Sequence, residues 1–159
     1  MFLAVPWTSH TDVVSDLPPW HGRIVIDAMN AASMGPGSFA ALDLGGRPST
    51  EVVAEHLPGA RVVKAFNTLT AAVLASDPRQ SGGHRVMFMS GRDADAKATV
   101  AHLIGQLGFA AIDLGDLEAG RQVQQFPARI DWSSRLIRAG KAFQGHEEPE
   151  GAAFQVRHQ

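Results

Sequence analysis

Cysteine is absent from this 159-residue chain, which excludes disulfides, thiolate metal sites and a cysteine nucleophile, and which fits a reducing cytosol. Long apolar runs are also missing: none approaches the roughly 18 to 20 residues that a membrane-spanning helix needs. The N-terminus lacks the charged region, apolar stretch and small-residue cleavage site of a secretory leader, so the expected compartment is the cytoplasm. Nor does charge of one sign dominate. Fourteen basic residues stand against 16 acidic ones, for a formal charge of -2, and mean hydropathy is -0.05. Neither a nucleic-acid surface nor a polybasic membrane anchor is expected from that balance. With 45% hydrophobic residues the chain is not of the disordered class, and its length suffices for one sizeable core.

Short apolar runs closed by Gly, Pro or Asn are what the chain does contain, and they place strands at 2–5, 23–29, 61–66, 85–89 and 109–113. A helix is expected over 94–107, because Val100, Leu103, Ile104 and Leu107 share one face, Asp93 can cap the first turn and Gly108 can close the last. Ser49 opens another, which carries Val52, Val53 and Leu57 and stops at Pro58. Strands alternating with helical crossovers predict an α/β fold, a partial Rossmann-like, mostly parallel sheet with flanking helices. Residues 1–121 form that layer, 122–140 a C-terminal helical segment interrupted by Pro127, and 141–159 a polar tail. Residues 31–48 are too rich in turn formers for a helix and read as a long loop, of the kind that covers sites.

If every crossover is right-handed, all strand ends gather on one edge of the sheet, where open α/β sheets bind ligands. That edge would hold Pro6-Trp7, Met29-Asn30, Asn67-Thr68, Ser90-Gly91 and Gly115-Asp116. It offers amide, hydroxyl and indole groups and no paired carboxylates, a lining that suits an uncharged planar ring. Hydride transfer fits such a lining, since cofactors hold the reacting atoms and no side chain must act as catalyst. Structural roles compete at each position: Asn30 and Asn67 can simply turn the chain after a strand, and Trp7 can pack on a helix. Lys64 is expected to snorkel past a helix layer rather than form a Schiff base. His102 should be solvated and His56 half-buried and satisfied; no histidine spacing indicates a metal site. Ser33, Ser38, Ser81 and Ser90 lack the nucleophile elbow of hydrolases.

Six segments occur in a telling order: Ala4-Val5-Pro6-Trp7, Val25-Ile26-Asp27-Ala28-Met29-Asn30, Asp43-Leu44-Gly45-Gly46-Arg47, Val62-Val63-Lys64-Ala65-Phe66-Asn67-Thr68, Ser90-Gly91-Arg92-Asp93-Ala94-Asp95-Ala96-Lys97 and Gly108-Phe109-Ala110-Ala111-Ile112-Asp113-Leu114-Gly115. Together they resemble the NADPH-dependent reductases of the deazaflavin coenzyme F420 and their bacterial NADP oxidoreductase relatives, over roughly residues 2–121. The resemblance implies a Rossmann domain that binds NADP(H), transfers hydride to a flavin-like ring and pairs as a dimer through C-terminal helices. It implies that Val5, Pro6 and Trp7 lie near the ribose and nicotinamide, that Ala28, Asn30, Ala65, Phe66 and Asn67 border the nicotinamide, and that Thr68, Gly115 and Leu117 lie beside the second ring.

One part of the family pattern is missing from the sequence, the opening strand with its Gly-x-Gly-x-x-Gly turn. Gly35-Pro36-Gly37-Ser38-Phe39-Ala40 lacks the third glycine and stands at the wrong place in the order. Each backbone bond from such a turn to a charged phosphate is worth roughly 1.5–3 kcal/mol. Losing three costs on the order of 5–9 kcal/mol, or about four to six powers of ten in affinity. Tight NADP(H) binding by this chain alone is therefore not expected. In a doubly wound order the 2–5 strand would also lack its neighbour, leaving an edge open to a homodimer partner or a complementing chain. Two functional readings follow: a portion of an NADP(H)-dependent oxidoreductase that is truncated and not competent alone, or a non-catalytic remnant that acts as an interaction or assembly module.

Overall fold

A computed structural model describes residues 1–35, 38–80, 82–126 and 138–139. Its centre is a sheet built from β1 (Phe2–Leu3), β2 (Ile24–Asp27), β5 (Arg61–Ala65), β7 (Gly83–Gly91) and β8 (Ala110–Asp113). The short strands β6 (Arg79–Gln80) and β9 (Arg138–Ala139) pair with the outer part of β7. β1, β2 and β5 run parallel, as do β7 and β8, so the mostly parallel, Rossmann-like reading is borne out. All five expected strands are present.

The join between β5 and β7 is antiparallel, with Val63 opposite Gly91 and Ala65 opposite Met89. This overturns the expectation that every strand ends on one edge. The segment between them carries α3 (Ala71–Leu74), a single turn, and β6, which pairs antiparallel with β7, and neither carries the chain back across the sheet to restore the parallel direction. Ser90, Gly91 and Gly115 therefore lie toward the edge where β5 begins, and the Gly91 amide donates to the Gly115 carbonyl at 3.0 Å.

The 31–48 stretch is also not a plain loop. Ala32–Gly35 (β3) and Ser38–Ala41 (β4) form a two-stranded antiparallel ladder. Residues 36–37, between the two strands, lie outside the described residues.

Helix α4 (Ala94–Gln106) begins and ends as expected. The Asp93 carboxylate accepts from the Ala96 amide at 2.7 Å. At the other end Gly108 adopts φ +87, its amide meets Gly105 O at 2.9 Å and the Phe109 amide meets Ile104 O at 3.1 Å, a Schellman closure. The apolar face of α4 buries Ala96, Val100 and Ile104 against Val63, Met87 and Met89. On the opposite face of the sheet lie α1 (His10–Ser15), which follows a short 3-10 turn (Trp7–Ser9), α2 (Ser49–Glu55) and α5 (Leu117–Gln124). There Trp7, Val14, Trp20, Val25, Val53 and Leu57 form a second core. Helix α5 crosses the expected 121/122 boundary, while Pro127 and the 141–159 tail lie outside the described residues.

Candidate functional site

β2 and β5 are in register, so Asp27 stands beside Lys64 and both side chains point to the same face. Asp27 is 0% exposed and Lys64 3%, and the Lys64 ammonium donates to Asp27 Oδ2 at 3.1 Å. The Thr50 hydroxyl donates to the same oxygen at 2.7 Å, and the Met29 amide donates to Asp27 Oδ1 at 3.0 Å. Lys64 also donates to the Met29 carbonyl. Burial without partners would cost each charge several kcal/mol, and here every group is matched. Lys64 therefore does not snorkel, contrary to expectation: its Nζ is enclosed, and it holds the backbone where β2 ends.

Immediately beyond lies a second polar cluster, at the tips. Asn67 donates its amide to Asn30 Oδ1 at 2.9 Å and to the Gln124 carbonyl at 2.6 Å. In return, Asn30 donates to the Asn67 carbonyl at 3.2 Å. Gln124, buried at the end of α5, donates to the carbonyls of Lys64 and Phe88, both at 3.2 Å, and accepts from Ser90 Oγ at 2.6 Å. One amide thus bridges β5 and β7 where their ladder is short. Its neighbour Gln125 accepts from the Ser49 amide at 2.9 Å, satisfying an otherwise orphaned donor at the start of α2. Gly120 makes this seating possible, since a Cβ there would lie 2.1 Å from Ser90 Oγ.

Phe66 links the strand to this cluster with φ +66, in the left-handed region that a bulky residue rarely enters. Its ring meets Phe2 edge-on at 5.1 Å. Strain of this kind persists where surroundings enforce it, and here it turns the chain so that Asn67 faces Asn30. Two side-chain oxygens at this tip are buried with no hydrogen-bond partner, Asn67 Oδ1 and Thr68 Oγ1.

Of the expected site residues, the structure gathers Ala28, Asn30, Ala65, Phe66, Asn67 and Thr68 at the adjoining ends of β2 and β5. Val5 packs against the core that holds Trp7, and Pro6 precedes the 3-10 turn and accepts from the Ser9 amide at 2.9 Å. Trp7 is buried among Val14, Val53 and Leu57, so packing is its observed role. Gly115 and Leu117 are not brought to the Asn67 cluster, because β8 follows the reversed direction of β7. Asp27, Thr50, Gln124 and Gln125 were not expected in the site. A charge at the same position in two neighbouring apolar strands was the available signal for Asp27; nothing local marks the glutamines.

His102 is exposed as expected, but His56 is exposed rather than half-buried. Among the described residues His10 is the buried histidine: its Nδ1 meets the Trp7 carbonyl at 2.5 Å, and its Nε2 has no partner. Among the described residues no three His, Asp or Glu side chains come close enough to hold a metal, and no helix is long and apolar enough to cross a membrane. On α5, the hydrogen bond that Arg121 donates to the Glu118 carboxylate raises the pKa of its guanidinium, so Arg121 stays charged.

Comparison with known proteins adds to this geometry. No protein-family model matches the chain. The chain has the α/β Rossmann-like fold of a candidate reductase. That protein, described as a candidate F420-dependent NADP-reductase from Arthrobacter sp. FB24, is 34% identical, with a TM-score of 0.56 over 64% of this chain and 47% of its own. A hypothetical protein from Sinorhizobium meliloti, SMa0349, is 45% identical with a TM-score of 0.76, over 99% of this chain and 66% of its own. Among curated proteins, rat metalloreductase STEAP3 is 30% identical over 130 residues, 82% of this chain. Human metalloreductase STEAP2 is 30% identical over 111 residues, 69% of this chain. The chain spans 25% and 20% of the lengths of these two relatives.

Proposed function

We propose that this chain is a portion of an NADP(H)-dependent oxidoreductase that moves hydride between NADP(H) and a deazaflavin, coenzyme F420, or a flavin-like acceptor. The neutral Asn30–Asn67 pair at the tips of two parallel strands carries this reading, in a chain similar to a candidate NADP-reductase. NADP(H) supplies the hydride when bound, and the protein's task is to orient its ring and exclude water. On this reading Val5, Pro6, Trp7, Ala28, Asn30, Ala65, Phe66 and Asn67 border the ribose and nicotinamide, and Thr68 faces the acceptor. Gly115 and Leu117 would act on the acceptor only from a distance, since they stand apart from Asn67.

The two ends of the cofactor fit unequally. At the ring end, an uncharged cluster offers a buried acceptor, Asn67 Oδ1, suited to an amide donor. At the phosphate end, Gly35 leads from β3 into the antiparallel β4, not from a strand into a helix. The two described glycine-bearing turns that lead from a parallel strand into a helix, at Gly91 (β7 to α4) and Gly115 (β8 to α5), carry one glycine each and not the Gly-x-Gly-x-x-Gly spacing, a poor fit to a pyrophosphate. On this reading the chain by itself does not bind the cofactor tightly. The metalloreductases among its relatives favour testing a metal acceptor, such as a ferric chelate, alongside F420 and flavin.

An NADPH titration followed by cofactor fluorescence tests this reading, combined with NADPH oxidation in the presence of F420, flavin or ferric chelate. The expected result is no saturation below millimolar NADPH and slow turnover at best. Absence of any interaction at several times that concentration contradicts the NADP(H) assignment. A second reading, an interaction or assembly module without catalysis, is favoured by one feature. Among the described residues β1 pairs with β2 alone, and Phe2 is 49% exposed, which favours an edge open to another chain.

A further inference from the structure

Both protons of the Asn67 amide are engaged, one by Asn30 Oδ1 and one by the Gln124 carbonyl. This fixes which way the side chain faces, because turning it over would set its oxygen against two other acceptors. Asn67 Oδ1 is thus held as an acceptor, in a residue only 9% exposed, and it has no partner. Gln124, its neighbour in the network, is saturated at both ends. Leaving a buried acceptor unpaired costs about as much as losing a hydrogen bond, and native structures rarely tolerate it without a reason. Thr68 Oγ1, on the next residue, is likewise buried and unpartnered. Two adjacent open oxygens therefore follow directly on the strained Phe66.

We infer that Asn67 Oδ1 and Thr68 Oγ1 form a reader of a neutral amide-type N–H carried by a planar ring. A carboxylate, phosphate or ether oxygen is rejected at Asn67 Oδ1, which can only accept, while the Thr68 hydroxyl can either accept or donate. The inference rests on the oxidoreductase reading, which supplies two sources of such a group: the carboxamide of nicotinamide and the ring imide of a flavin or deazaflavin.

Paired ligands that differ only in that N–H distinguish the sources, with binding followed by NMR on the full chain at millimolar ligand. In one arm NADPH is compared with its 3-acetylpyridine counterpart, in which a methyl group replaces the amide nitrogen. In the other, riboflavin is compared with 3-methylriboflavin. The expected result is roughly tenfold weaker binding of the N–H-deficient member of one pair, the size of one net hydrogen bond. Thr68→Val, which keeps the shape of the side chain, should shrink that ratio to about twofold or less while the spectrum stays that of a folded protein. Asn67→Leu should abolish the ratio, but it also breaks the Asn30 and Gln124 bonds, so Thr68→Val is the decisive variant. Equal binding within both pairs overturns the N–H reader and leaves the NADP(H) reading standing wherever NADPH itself binds. Failure of NADPH and riboflavin to shift any resonance removes both.

Discussion

Lys64 and Asp27 stand side by side in register on β5 and β2, their charges 3.1 Å apart in the interior. The pair anchors the Met29 backbone on both its amide and its carbonyl, and Asn30 follows directly. Buried pairs are costly to break because the surviving charge has no water to return to. Lys64→Met or Asp27→Asn alone should destabilise the fold by about 3–5 kcal/mol, whereas the double variant should recover about half of that loss. Urea denaturation followed by circular dichroism measures this, and additive losses would show that the two residues act independently.

Gly120 against Ser90 makes a second case. Any side chain at Gly120 meets Ser90 Oγ at 2.1 Å and Ser90 Cβ at 2.4 Å, so α5 could not keep its seat on β7. Gly120→Ala should cost about 1–3 kcal/mol through overpacking. Adding Ser90→Gly should restore part of it, although the Ser90–Gln124 hydrogen bond is lost. A thermal melt of the three variants decides, and an unchanged Gly120→Ala would mean that α5 does not lie against β7 in solution.

Much of this was legible in the sequence, for physical reasons that differ by region. All five principal strands, the α4 stripe with its Asp93 and Gly108 ends, and the Asn30 and Asn67 tips follow from local periodicity and turn chemistry. Strand direction does not. The β5-to-β7 reversal depends on how a 17-residue connection folds over the sheet, and it separates Gly115 and Leu117 from Asn67. Lys64 misled because alternation places a side chain on a face without saying that Asp27 waits there. Gln124 joins the site from 57 residues away, which no local pattern encodes.

The edge of the sheet is the third place where a measurement is decisive. Along β1 the Ile26 amide meets Met1 O at 2.8 Å and the Ala28 amide meets Leu3 O at 3.0 Å, so strand alternation turns the backbone groups of Phe2 outward. Met1 and Phe2 are exposed at that edge, and Val13 and Leu17 are exposed on α1 and just beyond it. Self-association that rises with concentration is expected in size-exclusion chromatography with light scattering, and Phe2→Asp should reduce it. A clean monomer across a wide concentration range would refute this.

Asn67→Ala removes three hydrogen-bonding groups from the tip and leaves the strand ladder intact. In any active assembly containing this chain, turnover should fall at least about tenfold, with a stability loss of only about 1–2 kcal/mol. The opposite pattern, unchanged turnover with a lowered melting temperature, would assign Asn67 a structural role.

The assignment of the β2 and β5 tips to a nicotinamide ring is tested most directly by mapping amide shifts of the labelled chain as NADPH is added to several millimolar. The predicted outcome is a weak response centred on residues 28–30 and 66–68. Saturation at micromolar NADPH, or shifts that spare those residues, would contradict it.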